Sequence, residues 1–309
     1  MTEFVHEPVM VREVLELLGP GRCHRVVDCT VGGGGHAEAL LRASSDLELL
    51  GLDRDPQALE AAQTRLAEFG PRVRLVAARF SDLGQVLSEI GWTTVDALLA
   101  DLGVSSFQLD SGERGFSFRA EAPLDMRMDP TCGEPLAAVL AHVDEHELAN
   151  VIFRFGEERH SRRIARAMLD ERPQTTGELA RLVQRLVPRS LDGIDPATRT
   201  FQGLRIWVND ELGELDALLT ALPQVLAPGA VVAILSYHSL EDRAVKRALR
   251  DAMHGCICPP SLPQCLCGHK PTLRVLTRRA WVASEDEVRR NRRSRSARLR
   301  AAERIEDVS

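Results

Sequence analysis

The sequence predicts a doubly wound α/β fold, in which helices cover both faces of a parallel β-sheet, with a helical domain inserted into it. Short, almost entirely apolar segments alternate with amphipathic helical segments between residues 25 and 101, as expected for strands that are buried on both faces. The alternation stops near Gln108 and resumes only with the apolar segment 230–235. Because the residues between these points have helical patterns, we predict an insertion after the fourth strand.

The first predicted strand leads into a glycine loop and then a helix. Residues 25–29 are mostly apolar, glycines follow at 32–35, and a helical pattern begins at His36. Glycine has no Cβ, so such a loop lets a ligand approach the backbone amides closely. The loop also fits the dinucleotide fingerprint G-x-G-x-x-A, which keeps an NAD-dependent oxidoreductase open as an alternative.

Aspartates end three of the predicted strands: Asp28 the first, Asp53 the second and Asp101 the fourth. The carboxyl ends of parallel strands form the edge at which ligands bind in open α/β sheets. A carboxylate at Asp28 would attract the ammonium group of a methionine moiety but repel a pyrophosphate. Asp53 could accept hydrogen bonds from ribose hydroxyls in either kind of site. We therefore favour S-adenosylmethionine over NAD, with turn capping as the alternative role of Asp28 and Asp101.

The predicted insertion divides the sheet domain into two segments. We place the insertion at residues 111–198 and the sheet domain at 1–110 and 199–309. Within the insertion, Asp144 and Thr175 are each followed by a glutamate three residues later. This spacing is typical of a capping box at the start of a helix, so we expect helices to begin at both positions.

Charge and hydropathy exclude several classes of protein. Of the 309 residues, 44% are hydrophobic and 27% are charged, and no apolar run approaches the roughly 20 residues that a membrane helix needs. The acidic first residues do not resemble a signal peptide, so we expect a cytoplasmic protein without a membrane partner. The net charge of −6 conceals an arginine-rich segment, 289–300. We expect this segment either to contact nucleic-acid phosphates or to form a solvated helix face.

Cysteines near the C-terminus are the candidate metal ligands. Two C-x-C pairs, Cys256 with Cys258 and Cys265 with Cys267, are separated by a loop with prolines. Four thiolates brought together would suit a tetrahedral structural zinc ion. C-x-C is not the usual zinc-knuckle spacing, however, so zinc and free or redox-reactive thiols both stay open.

Five segments carry a specific likeness to one known family: 28–36 (DCTVGGGGH), 53–56 (DRDP), 101–106 (DLGVSS), 115–119 (GFSFR) and 236–242 (SYHSLED). In this order they resemble the bacterial 16S ribosomal RNA cytosine-N4 methyltransferases, the family known as MraW. The likeness extends from His6 to Arg298. It implies a Rossmann-like class I methyltransferase sheet and methyl transfer from S-adenosylmethionine to N4 of a cytidine in the decoding region of the small ribosomal subunit. It also implies that the insertion helps to recognise the RNA.

The resemblance also implies which residues form the site. By matching positions, it puts the cofactor against Gly34, Gly35, His36, Asp53, Phe80, Asp101 and Gln108. For the chemistry, we hypothesise that Asp101 or a neighbouring backbone carbonyl accepts a hydrogen bond from the cytosine amine, and that His238 assists proton departure. The alternative for His238 is a histidine hydrogen-bonded at the end of the sheet.

Some positions depart from the family pattern. Alanine stands at Ala37 where serine is usual, tyrosine at Tyr237 for phenylalanine, arginine at Arg292 for proline, and aspartate at Asp195 for histidine. The last change puts in doubt whether that loop contacts RNA as in the family. A different amine substrate, and a cofactor-binding protein that shapes RNA without chemistry, are further alternatives. The sequence does not determine the oligomeric state, and a dimer is one of the alternatives that stay open.

Overall fold

The computed structural model describes residues 8–104, 114–188, 193–255, 258, 262, 264, 266–267 and 270–306, and the structural statements below concern these residues. The chain divides into two compact units. The sheet unit comprises Met1–Gly103 with Gly213–Ser309, and the helical unit comprises Val104–Leu212. The predicted insertion, 111–198, lies within the helical unit, and a helix over Ala197–Asn209 crosses its predicted end.

The sheet unit contains a seven-stranded sheet in the order β3-β2-β1-β4-β5-β7-β6. Strands β1 to β5 pair in parallel, whereas β7 is antiparallel to both of its neighbours. This doubly wound, Rossmann-like order confirms the predicted fold class. The strands are β1 (Arg25–Asp28), β2 (Glu48–Asp53), β3 (Val73–Ala77), β4 (Val95–Asp101), β5 (Leu226–Ser236), β6 (Leu273–Val275) and β7 (Arg298–Arg304).

The α-helices alternate with the first strands and then follow one another in the helical unit. They are α1 (Val11–Leu18), α2 (Gly35–Ala43), α3 (Pro56–Leu66), α4 (Leu83–Glu89), α5 (Leu136–Val139), α6 (Glu145–Gly156), α7 (Ser161–Glu171), α8 (Thr176–Leu186), α9 (Ala197–Asn209), α10 (Glu211–Val225), α11 (Ser239–Met253) and α12 (Glu285–Arg290).

Local sequence signals explain where several helices begin. The Asp55 side chain accepts a hydrogen bond from the Gln57 backbone N–H, and Pro56 occupies the first position of α3, where its missing N–H costs nothing. Thr175 starts α8 with the predicted reciprocal capping box. The Asp144 side chain caps α6 by accepting from two backbone amides of its first turn. These side chains satisfy amides that have no partner inside the helix.

The apolar alternation predicts β1 to β5 but not β6 and β7. Strand β7 mixes arginines with leucine and alanine, so its sequence resembles the charged segment before it. Its pairing with β5 stabilises it, since Val231 to Ser236 align with Glu303 to Arg298 in antiparallel register. Leu299 and Ala301 are fully buried there, which gives the strand its apolar face.

The helical unit has its own apolar core, formed mainly by leucine, isoleucine and valine side chains of α6 to α9. Helices α6 and α9 approach so closely that their backbones touch at two glycines. A Cβ added to Gly203 would lie 2.7 Å from the backbone nitrogen of Gly156, and one added to Gly156 would lie 2.5 Å from the carbonyl oxygen of Arg199. Glycine is therefore required at both positions for this crossing.

No helix within the described ranges combines the length and the apolar character needed to cross a membrane.

Candidate active site at the carboxyl edge of the sheet

The glycine loop after β1 is held against the neighbouring strand. The backbone N–H of Val31 donates to the Leu52 carbonyl over 2.8 Å. Gly34 precedes α2 with φ of +80°, a conformation that other residues rarely adopt, and an added Cβ would lie 3.3 Å from Leu66 Cγ. Around Gly33, by contrast, an added Cβ would meet nothing within 4 Å. The loop thus has a tightly packed side and an open side.

Asp53, at the end of β2, fixes the loop from the side. Its Oδ2 accepts from the Gly32 N–H over 2.9 Å, and its Oδ1 accepts from the Asp55 N–H over 2.9 Å. Burial raises the pKa of Asp53 to about 6, although both amides oppose the shift. The side chain stays partly exposed, so its remaining lone pairs can accept hydrogen bonds from a ligand.

Asp28, at the end of β1, is buried and caps a turn. Only 1% of it is exposed, and Oδ1 accepts from the Thr30 N–H over 3.1 Å. Burial raises its pKa to about 7; His36 opposes this shift, while Asp101 and Asp53 add to it. Asp28 therefore caps a turn, as in the alternative role given above. Its burial does not fit direct contact with the ammonium group of a ligand, which was the argument that favoured S-adenosylmethionine over NAD. Its charge still contributes to the edge.

Asp101 has hydrogen-bonding neighbours on several sides. Its backbone N–H donates to Thr30 Oγ1 over 2.6 Å, and its Oδ1 accepts from the Tyr237 hydroxyl over 2.6 Å. Oδ2 lies 3.6 Å from His36 Nδ1. Burial raises the pKa of Asp101, and His36 and Tyr237 oppose that rise. With 22% of its side chain exposed, the carboxylate can still reach a bound molecule.

The other predicted cofactor residues differ in accessibility. His36 is buried, and its Nε2 lies 2.9 Å from the Val9 carbonyl, which only accepts, so Nε2 donates. A Cβ on Gly35 would lie 3.0 Å from Pro8 Cγ, so the segment before α1 covers this part of the loop. Phe80 begins a short 3-10 turn directly after β3 and is partly buried. Gln108 lies outside the described residues.

His238 is the N-cap of α11. The Glu241 N–H donates to His238 Nδ1 over 3.4 Å, and Glu241 Oε2 accepts from the backbone N–H groups of Tyr237 and His238 over 2.8 and 3.3 Å. His238 Nε2 lies 3.2 Å from Glu241 Oε1 but forms no well-aligned hydrogen bond within the described residues. This geometry corresponds to the alternative of a histidine that is hydrogen-bonded at the sheet end.

The arginine-rich segment separates into buried, paired and exposed members. Arg300 is buried, and its Nε donates to Asp242 over 2.7 Å. Arg289 forms exposed ion pairs with acidic residues of its own helix. Arg292, Arg295 and Arg298 are exposed and form no ion pair among the described residues. The segment is therefore not one uniform helix face.

The candidate zinc ligands are only partly described. Cys256 and Cys265 lie outside the described residues. Within the part of the chain that the structure describes, no disulfide involves Cys258 or Cys267, and the Leu266 N–H lies 3.5 Å from Cys258 Sγ. The zinc site stays a prediction.

The chemistry of the edge fits a positively charged ligand that also carries hydroxyl groups. Asp28, Asp53 and Asp101 lie together there, and the raised pKa of Asp28 comes mainly from burial, with smaller contributions from the negative charges of Asp101 and Asp53. A cation would relieve the repulsion between these charges. Sequence reasoning missed the Tyr237 hydrogen bond and the cover formed by Pro8 and Val9. The only signal for the latter segment was that the family likeness begins at His6.

Comparison with known proteins gives the chain a family. Residues 3–305 match the model of the MraW methylase family. A ribosomal RNA small subunit methyltransferase H of Nitratidesulfovibrio vulgaris (strain DP4) is 49% identical over 97% of this chain and 95% of its own. Relatives with that name from Anaeromyxobacter sp. (strain K) and Geobacter sulfurreducens are each 50% identical over 98% of this chain and 99% of their own.

Solved structures give weaker similarities. An rRNA methylase from Streptococcus thermophilus has a TM-score of 0.40 and 12% identity over 96% of this chain and 94% of its own. The N-methyltransferase NodS from Bradyrhizobium japonicum, in complex with S-adenosyl-L-homocysteine, has a TM-score of 0.43 and 8% identity over 96% of this chain and 85% of its own. Similarity at this level says nothing about substrate. The sequence match over almost the whole length does decide the family: this chain belongs to the MraW methylase family.

Proposed function

We propose that this protein transfers a methyl group from S-adenosylmethionine to the exocyclic N4 of a cytidine in the decoding region of 16S ribosomal RNA. The family match and the names of relatives about half identical to this chain support a ribosomal RNA methyltransferase. The N4 atom and the decoding region rest on the resemblance of the five sequence segments. Family membership argues against the NAD-dependent alternative.

The exposed arginines support RNA as the substrate. Arg298 is the first residue of β7 and pairs in register with Ser236, the last residue of β5. Ser236 directly precedes Tyr237, whose hydroxyl reaches Asp101. Arg298 therefore lies at the same edge of the sheet as the candidate site, with Arg292 and Arg295 shortly before it in the chain. Arginines in such a position suit the phosphates beside a target nucleotide.

The residues of the edge fit the methyl donor. S-adenosylmethionine, when bound, supplies a methyl group on a positively charged sulfur. We assign the open side of the loop at Gly33 to backbone contact with this molecule, and the partly exposed Asp53 carboxylate to its ribose hydroxyls. The negative charges of Asp28 and Asp101 favour a cationic ligand. Gly34, Gly35, His36, Phe80 and Gln108 complete the proposed cofactor site.

The observation that carries the chemistry is the partly exposed Asp101 carboxylate, whose Oδ1 is already held by Tyr237. The lone pair of cytosine N4 is delocalised into the ring, so an acceptor that holds an amine hydrogen favours the more tetrahedral nitrogen needed for attack. We assign this role to Asp101 Oδ2. The N–C bond forms as the S–C bond breaks, its electron pair stays on sulfur, and the N4 proton then leaves to Oδ2 or to water.

His238 contributes in our proposal by positioning. Through the capping box with Glu241 it fixes the chain at Tyr237, and Tyr237 in turn holds Asp101. His238→Ala should therefore lower turnover without abolishing it. Unchanged turnover at saturating RNA would remove His238 from both the catalytic and the positioning role.

The direct test uses small ribosomal subunits from cells that lack this protein. They are incubated with the protein and tritiated S-adenosylmethionine, and the RNA nucleosides are then separated. We expect label in N4-methylated cytidine, and a rate reduced by about 100-fold or more in Asp101→Asn, the range seen for lost acid–base groups. Label in another nucleoside would correct the acceptor atom. No label in RNA, with cofactor still bound, would favour a different amine substrate.

Three further proposals follow from the sequence. The helical unit would contact the RNA, the protein would act in the cytoplasm, and the four C-terminal cysteines would hold a structural zinc ion. Metal analysis of protein purified without chelator tests the last of these against the alternative of free or redox-reactive thiols, and about one zinc per chain would support the metal site. Absence of zinc would favour free thiols.

A further inference from the structure

Tyr237 is the sole tyrosine of the chain, and its two ends are held by different partners. The hydroxyl donates to Asp101 Oδ1 over 2.6 Å, and the backbone N–H donates to Glu241 Oε2 over 2.8 Å. The ring packs against the apolar core of the sheet unit, beside Gly103. The side chain therefore has little freedom to leave Asp101.

Asp101 depends on a small number of favourable neighbours. Burial raises the pKa of Asp101, His36 on α2 and the Tyr237 hydroxyl oppose this rise, and the charge of Glu241 on α11 adds to it. Asp28 on β1 is a further acidic group at this edge, and its own pKa is raised mainly by burial and to a smaller extent by Asp101. Thr30 Oγ1 accepts a hydrogen bond from the backbone N–H of Asp101. His36 and Tyr237 both oppose protonation of Asp101, and Tyr237 does so as an uncharged hydrogen-bond donor.

A phenylalanine would fill the space of the Tyr237 ring but would offer Asp101 no hydrogen. The family resemblance leads us to expect phenylalanine at this position, where this chain has tyrosine. A partly buried carboxylate that loses a hydrogen-bond donor becomes easier to protonate and freer to rotate. Either change would weaken an acceptor that must meet a substrate amine in one orientation.

We propose that Tyr237 is a positioning residue, which fixes the orientation of the Asp101 carboxylate and keeps it ionised so that Oδ2 can accept from the substrate amine. This inference rests on the proposed function for its consequence in catalysis. The hydrogen bond itself can be tested without any substrate.

The catalytic test compares Tyr237→Phe with the intact protein over a range of pH. We expect kcat to fall about tenfold, since one hydrogen bond to a charged group is lost, while KM for RNA changes less than about twofold. The acidic limb of the kcat profile should move upward by about half to one pH unit. Thr64→Val, which removes an exposed hydroxyl from α3, is the matched control and should leave the profile in place.

The second test follows Tyr237 itself through its ultraviolet absorbance on ionisation, which no other tyrosine obscures. Burial and the neighbouring Asp101 raise the pKa of Tyr237 well above its usual range. Removing the negative charge in Asp101→Asn should lower the pKa of Tyr237 by about one unit or more, with circular dichroism confirming that the variant is folded.

The two tests distinguish failure of the positioning role, failure of the hydrogen bond and failure of the proposed function. A Tyr237→Phe profile that superimposes on that of the intact protein would overturn the positioning role. Identical tyrosine titrations with and without the Asp101 charge would overturn the hydrogen bond. If neither protein methylates RNA, the proposed function fails, and the titration still decides whether Tyr237 and Asp101 are coupled.

Discussion

The acidic residues of the sheet edge and the exposed acidic residues of the helical unit differ in whether they pair with arginine. In the described part of the chain, Asp28, Asp53 and Asp101 form no ion pair with arginine or lysine, and the pKa of each is raised. In the helical unit, exposed acids such as Glu145 and Glu171 pair with Arg166 and Arg185 at 3.1 and 2.6 Å. The sheet edge therefore keeps negative charge that a ligand can compensate, whereas these pairs are already neutralised.

The largest expected effect concerns the pH dependence of stability. Burial raises the pKa of Asp28 from 3.8 to about 7. A raised carboxyl pKa stabilises the fold below the unfolded value and loses that contribution as pH rises, so the unfolding free energy should fall between pH 4 and 7, by at most about 4 kcal/mol. Asp28→Asn keeps an acceptor for Thr30 and should flatten this fall in urea denaturation. An equal slope in both proteins would contradict the view that Asp28 is an uncompensated charge.

A stability test of the helical unit addresses packing instead of charge. Gly203→Ala would push a Cβ to 2.7 Å from a backbone atom of α6, and separating two helices should cost about 2–3 kcal/mol. Gly84→Ala in α4, where an added Cβ meets nothing within 4 Å, is the matched control. It should be neutral or slightly stabilising. Similar urea midpoints for both variants would show that the crossing at Gly203 adapts easily.

Removing Asp53 should affect ligand binding at the edge. Asp53→Ala deletes the acceptor of two backbone amides and the proposed acceptor of ligand hydroxyls, so the Kd for S-adenosylmethionine should rise by about 100-fold. Isothermal titration calorimetry measures this change. Asp46→Ala, an exposed aspartate before β2, should bind normally. Equal affinities for both variants would remove Asp53 from the cofactor site.

The smallest expected effect distinguishes the exposed arginines at and before β7 from arginines that pair with acidic residues. Replacing Arg292, Arg295 and Arg298 by glutamine should weaken RNA binding about tenfold and reduce its salt dependence, since phosphate contacts release counterions. Replacing Arg166, Arg181 and Arg185, which already pair with acids, should change the Kd less than about threefold. Filter binding at several salt concentrations measures both. Equal losses would mean that pairing with acids does not determine which arginines bind RNA.

Properties set by neighbouring residues could be predicted from the sequence. The apolar segments predicted strands β1 to β5, and the glycines at 32–35 predicted the loop before α2, because these signals act within a few residues. Thr175 and Glu178 predicted the start of α8 for the same reason. Strand β7 could not be predicted in this way, because it is stabilised by a partner strand more than sixty residues earlier in the chain.

Residue order alone predicts the doubly wound class, the glycine loop and aspartates where three strands end. The roles of those aspartates depend on how the folded chain surrounds them. The tertiary structure buried Asp28 as a turn cap, left Asp53 partly exposed, and brought the Tyr237 hydroxyl to Asp101 across 136 positions of sequence. The reason is physical: backbone periodicity and capping are local, whereas burial, pKa and hydrogen-bond partners depend on which distant strands become neighbours in the sheet.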